Sequence, residues 1–225
     1  MGRLKIIIAA CLLTILMVAC EYPLAEEDKT DNISKSIVNS KIEISMEMAI
    51  AISEKEADKY GSDYLISSVY SYDGDTNRNE KAGNDGKRQY WYVNFGNADK
   101  RCISILVCNG TVANVEKFDV NDNNGLFELS DIKITAEQAA KEATKLGLRG
   151  GNPENESEWV SGLNFNLQYS SLVETPEEGK LFFEVIGISP NGNFAHIDFD
   201  AKTGEVILTE EKIETSSGEI YWQSF

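Results

Sequence analysis

From Phe194 to Leu208 the chain alternates in a way that a two-stranded antiparallel ribbon satisfies best. Ala195, Ile197 and Phe199 fall on one side of an extended strand, Ala201-Lys202-Thr203-Gly204 supplies a turn, and Val206-Ile207-Leu208 returns. This reads as the closing hairpin of a small α+β unit. A degraded copy lies earlier, where Ile103, Ile105 and Val107 alternate, Asn109-Gly110 turns, and Val112 to Val115 comes back. One unit is therefore expected to be used twice.

The flanking segments support that reading. Ser45 is placed to cap a helix carrying Met46, Ala49, Ile50, Ser53 and Ala57 at helical spacing, with Glu47 in its first turn and Tyr60-Gly61 near its end. Tyr64 to Tyr72 is rich in strand formers, Asp73 to Lys87 is a loop, and Tyr90 to Phe95 is a strand with Trp91, Val93 and Phe95 on one side. The pattern then restarts. Thr135 and Gln138 form a capping box before Ala136, Ala139, Ala140, Ala143 and Leu146, and Leu163, Phe165, Leu167 and Tyr169 alternate with polar residues. Leu181 to Ile188 is the next strand. Ile44-Ser45-Met46-Glu47 with Ala49 matches Ile134-Thr135-Ala136-Glu137 with Ala139 at an offset of 90, and Gly110 with Val112 matches Gly204 with Val206 at 94.

The expected fold class is thus α+β, with two repeated units, each one helix packed on an antiparallel sheet of about four strands and each with its own small core. The units are placed at 44–118 and 134–212, joined by a linker over 119–133 and followed by a tail over 213–225, in which Ile220, Tyr221, Trp222 and Phe225 supply apolar surface for docking. At 225 residues and 42% apolar content the chain has material for such cores.

Residues 1–19 read as an export signal. Arg3 and Lys5 precede an apolar run from Ile6 to Val18, shorter than the roughly 20 residues a spanning helix needs. Leu16-Met17-Val18-Ala19-Cys20 resembles a bacterial lipobox, with Met17 where leucine is usual. That resemblance implies cleavage before Cys20, lipidation of Cys20 with diacylglycerol and palmitate-type acyl chains, and an extracytoplasmic position anchored at the bacterial cell envelope. Two or more acyl chains make a stable anchor where one is marginal. Residues 20–43, polar and acidic, then serve as a flexible tether with a reach of roughly 25 Å. The formal charge of −16 becomes more negative still once Arg3 and Lys5 leave. It disfavours nucleic acid and anionic headgroups as partners and favours cationic partners or metal ions, with solubility alone at least as good an account.

Ile134-Thr135-x-Glu137-x-Ala139 opening a helix, Phe182-Phe183 in a strand, and Ile197-Asp198-Phe199-Asp200-Ala201-Lys202-Thr203-Gly204-Glu205-Val206 together resemble the PepSY domain. The stretch from Ile134 to about Glu210 carries the whole pattern, whereas Ile44 to Phe118 lacks the threonine and the Asp-Ala pair and matches in outline. The resemblance implies a role in binding or restraining an envelope partner, a secreted peptidase among them, and brings no catalytic residues with it.

His196, the single histidine, lies beside Asp198 on the side of its strand opposite the buried one, and is expected to be a solvent contact rather than a ligand or base. A single unduplicated core, or a polar cleft where His196 meets converging carboxylates, would defeat the reading of a duplicated module that offers surfaces in place of reactive groups. Cys102 and Cys108, six residues apart on one strand, are too distant to bridge. Glu177-Glu178 and Glu210-Glu211 read as solvated faces. Asp119, Asn121 and Asn123, and again Asp73, Asp75 and Asn77, have the opening spacing of a calcium loop without its glycine, and Asx turns explain both as well. Tyr90 and Tyr92 are the candidate partner-binding residues, because Trp91, Val93 and Phe95 face inward; a covering by the other unit or the tail is the competing account. The sequence therefore points to a non-enzymatic envelope lipoprotein that binds a protein or peptide, with no cofactor, no metal ligand and no catalytic residue assigned. The alternative is a calcium- or small-ligand-binding envelope lipoprotein.

Overall fold

Alternation places an apolar residue at every second position of the central strands, and in the structure these positions share one face of one sheet. The computed structural model describes residues 41–72, 79–119, 125–152, 160–169 and 179–225. The expected export signal, Cys20 and most of the expected tether lie outside these residues. So do Asp73, Asp75, Asn77, Asn121, Asn123 and Glu177-Glu178.

Helix α1 (Met46–Ala57) starts where Ser45 Oγ accepts from the Met48 amide, and it buries Met46, Ala49, Ile50, Ser53 and Ala57. Helix α2 (Ala136–Lys145) opens on the reciprocal Thr135–Gln138 capping box and buries a stripe of alanines. Leu146, expected in that stripe, is instead the C-cap and is exposed. A two-residue ladder pairs β1 (Ile44–Ser45) with β3 (Lys87–Arg88). The remaining strands are β2 (Leu65–Tyr72), β4 (Tyr90–Gly96), β5 (Arg101–Cys108), β6 (Thr111–Asp119), β7 (Asn164–Tyr169), β8 (Leu181–Ile188), β9 (Phe194–Asp200), β10 (Val206–Glu214) and β11 (Ile220–Ser224).

Those nine strands form a single antiparallel sheet in the order β11-β10-β9-β8-β7-β2-β4-β5-β6. This overturns the expectation of two repeated helix-on-sheet units with separate cores. β2 and β7 pair directly, Ser68 with Gln168, Val69 with Leu167 and Tyr70 with Asn166, so the strands of the two chain halves merge. The physical reason is that a four-stranded group would end on β2 or β7 with unpaired N–H and C=O groups, and pairing them removes both edges. One buried cluster then runs from Met46 and Ile50 through Trp91 and Phe165 to Ile197 and Ala201. Trp91 of β4 stacks on Phe165 of β7 with ring centroids 5.9 Å apart, and Glu47 Oε1 accepts from the Ala136 amide at the start of α2.

The two hairpin turns have local causes. At Asn109-Gly110 both residues have positive φ, 53° and 75°, as a type I′ turn requires. After β9, Asp200 Oδ1 accepts from the amides of Lys202 and Thr203, and Gly204 takes φ 78°. Ala201 is fully buried there, its amide donating to the Leu181 carbonyl. Cys102 and Cys108 both lie in β5, and neither is in a disulfide among the described residues. The tail forms β11, pairing with β10 from Glu210↔Ser224 to Glu214↔Ile220. No helix among the described residues is long and apolar enough to cross a membrane.

Ser53 is an exception within the core. Its hydroxyl is fully buried and has no hydrogen-bond partner among the described residues. Ser53→Ala is therefore expected to raise stability by about 1 kcal/mol in urea unfolding, from relief of an unsatisfied polar group and a better helix former. A lower midpoint would show that the hydroxyl has a partner in solution.

Candidate functional site

With both helices packed on the apolar face, the opposite face carries the residues that alternate with the core. Register aligns these into rows across the strands. One row runs Leu208, Asp198, Glu184, Asn166, Tyr70, Tyr92, Leu106 and Asn114; a neighbouring one includes Glu210, His196 and Ile186. Two clusters result, about 14 Å apart from Tyr92 to Glu184 by three strand spacings.

The first cluster is aromatic. Tyr90 and Tyr92 alternate with the fully buried Trp91 and Val93 and are half-buried on the opposite side. Tyr92 stacks on Tyr70 at 5.1 Å, and Tyr72 meets the edges of Tyr90 and Tyr92 at 6.1 and 6.0 Å. Burial, with the neighbouring Tyr92, raises the Tyr70 phenol above its ordinary range. Tyr70 and Tyr72 were not singled out by the sequence, because their partnership with β4 rests on strand order.

The second cluster corrects the view of His196 as a solvent contact. Its side chain is only 14% exposed. Nδ1 lies 3.0 Å from Asp198 Oδ1 and 3.5 Å from Glu184 Oε1, while Nε2 lies 3.9 Å from Glu210 Oε2. The Trp222 ring sits edge-on to the imidazole at 5.0 Å and also meets Phe194. Asn166 Nδ2 donates to Glu184 Oε2, leaving the other oxygen turned to the histidine. Burial by itself would lower the His196 pKa, but the Asp198 hydrogen bond and the charges of Glu184, Asp198 and Glu210 outweigh it and raise it above the usual value. Glu184 is raised mainly by burial, with Asp198 adding to it.

Three strands and a docked tail build this cluster. Only the His196-Asp198 spacing was visible in the sequence; Glu184 comes from β8 by the register Glu184↔Asp198, and Glu210 from β10 by Glu210↔His196. An Asp–His pair can orient a general base; among the described residues no hydroxyl or thiol is hydrogen-bonded to His196. An imidazole nitrogen facing two carboxylates can instead hold a proton or a cation.

Glu211, expected on a solvated face, is 1% exposed. It turns to the opposite side of β10 from Glu210 and accepts from Ser189, Asn191, Asn193 and Gln223. A hollow of about 310 Å³ on the helix-bearing side, lined by Glu54, Ile66, Phe95 and Phe127 among others, contains none of these clusters.

No protein-family model matches the chain, and neither a curated protein nor a solved structure does.

Proposed function

We propose that this protein is a non-enzymatic, lipid-tethered envelope protein that binds a cationic segment of a protein or peptide partner across the face of its sheet opposite the helices. What carries the reading is one alignment: the tyrosine cluster and the acidic cluster occupy the same row, joined through Asn166. An extended segment rises about 3.3 Å per residue, so four or five residues cover the distance between the clusters. Lysine or arginine stems lie well on tyrosine faces, and their charged heads are drawn to Glu184, Asp198 and Glu210. The net charge of −16 favours such a segment at longer range. The PepSY-like pattern adds secreted peptidases to the partners worth testing first.

The test is titration of a fluorescent, unstructured lysine- and arginine-rich peptide, followed by anisotropy. Tyr90→Ala/Tyr92→Ala removes aromatic surface without changing charge, and is expected to weaken binding about 10-fold or more. An acidic peptide of equal length should not bind. Equal affinity of the double variant and the parent would remove the tyrosines from the site.

A further inference from the structure

We propose that Glu184, His196 and Asp198, on the face of the sheet opposite the helices, hold a divalent transition-metal ion of the zinc class. The inference stands on the geometry of this cluster and does not depend on peptide binding.

The donor set is one imidazole nitrogen and two carboxylates, whose ligand atoms all lie within 4.8 Å of one another. Both carboxylates approach the same atom, His196 Nδ1, at 3.0 and 3.5 Å. Ligand atoms around a tetrahedral ion with bonds of about 2.0–2.1 Å are about 3.4 Å apart, and these two separations bracket that edge. Drawing the remaining oxygens together needs rotation of Glu184, whose side chain is a quarter exposed. The imidazole distinguishes the class of ion: calcium and magnesium take oxygen ligands, whereas nitrogen with carboxylate suits zinc and its neighbours.

The surroundings are those that orient metal ligands. Asn166 holds Glu184 Oε2 and so directs Oε1 inward. In the metal-free protein Nδ1–H donates to Asp198 Oδ1, so a metal at this nitrogen takes the place of that proton, while Glu210 lies 3.9 Å from Nε2. Trp222 limits rotation of the ring. All six residues, Asp198 included, sit on paired strands of the sheet, so the ligand positions are held by ladder hydrogen bonds.

The experiment uses the full-length protein in detergent, stripped with chelator, then titrated with cobalt(II) as a spectroscopic stand-in and with zinc(II) by calorimetry. The expected result is one equivalent of cobalt, giving visible absorption that zinc removes, and a rise in thermal midpoint with zinc. His196→Ala and Asp198→Asn should each weaken binding about 100-fold, and Asn166→Ala about 10-fold, the range seen for residues that orient a ligand. Circular dichroism of the metal-free variants establishes folding, and the near-isosteric Asp198→Asn keeps the test valid if His196→Ala does not fold. Absence of heat, absorption and midpoint change in the parent would overturn the proposal. So would metal affinity unchanged in a folded His196→Ala or Asp198→Asn variant, the result expected if cysteines were the ligands.

Discussion

Truncation of Trp91 to alanine is expected to cost about 3–5 kcal/mol, measured as a lower urea midpoint at unchanged slope. The residue is fully buried, its indole Nε1 donates to the Ile44 carbonyl at 3.0 Å, and its ring stacks on Phe165. Three losses coincide: apolar contact, a filled volume, and the partner of a buried carbonyl. Trp91→Phe keeps an aromatic ring against Phe165 while losing the hydrogen bond, and about 1–2 kcal/mol is expected for it. The informative feature is the form of the transition. Because Trp91 lies in the half of the sheet built by β2, β4, β5 and β6 while Phe165 lies in β7, a single shared core predicts one transition that moves as a whole. A profile that splits into a sensitive and an insensitive step would show that the two sides of the sheet unfold separately.

The second large effect is expected at Glu211. Its carboxylate accepts from Ser189 Oγ at 2.6 Å, Asn191 Nδ2 at 2.8 Å, Asn193 Nδ2 at 2.9 Å and Gln223 Nε2 at 3.0 Å. These bonds tie the β8–β9 turn to β10 and to β11. Glu211→Ala leaves four donors around an emptied position and is expected to cost about 3–5 kcal/mol, with β11 the element most exposed to loss of pairing. Burial alone would raise this carboxyl, yet the hydrogen bonds from Ser189, Asn193, Gln223 and Asn191 outweigh burial and hold it at about 2. Since the folded value lies below the unfolded value of about 4.3, the folded state gains stability from the ionised carboxylate. That gain is complete above about pH 5 and is lost as pH falls through the folded value. Stability of the parent should therefore drop between about pH 4.5 and 2 more steeply than that of Glu211→Gln, which has no proton to take up. Parallel acid limbs for the two proteins would show that Glu211 ionises as an ordinary exposed carboxylate.

Much of the local structure was legible because its causes are local. Ser45, and Thr135 with Gln138, satisfy the first amides of the helices that follow them, so those starts are written in neighbouring residues. The Asp200-Ala201-Lys202-Thr203-Gly204 turn is likewise self-contained, since the Asp200 carboxylate holds the two amides that follow. Leu146 was misplaced because its position in the alanine stripe coincides with the C-cap, where the chain leaves the helix.

The acidic residues were harder to place. Glu210 and Glu211 are adjacent carboxylates in an acidic chain, which favours reading both as solvated. In β10 they point to opposite sides, one toward His196 and the other into a ring of amide and hydroxyl donors. Nothing local distinguishes them, because the donors lie 12 to 22 residues away.

The sequence by itself determined which residues share a side of each strand, which residues begin the helices and where the tight turns fall, since periods of two and 3.6 residues and the hydrogen-bonding reach of short side chains act within a few positions. Tertiary structure alone decided that β2 and β7 meet, making one core where two were expected, and that Glu184 and Glu210 stand beside His196. Both outcomes depend on strand order and register, which arise when an exposed edge finds a partner distant in the chain.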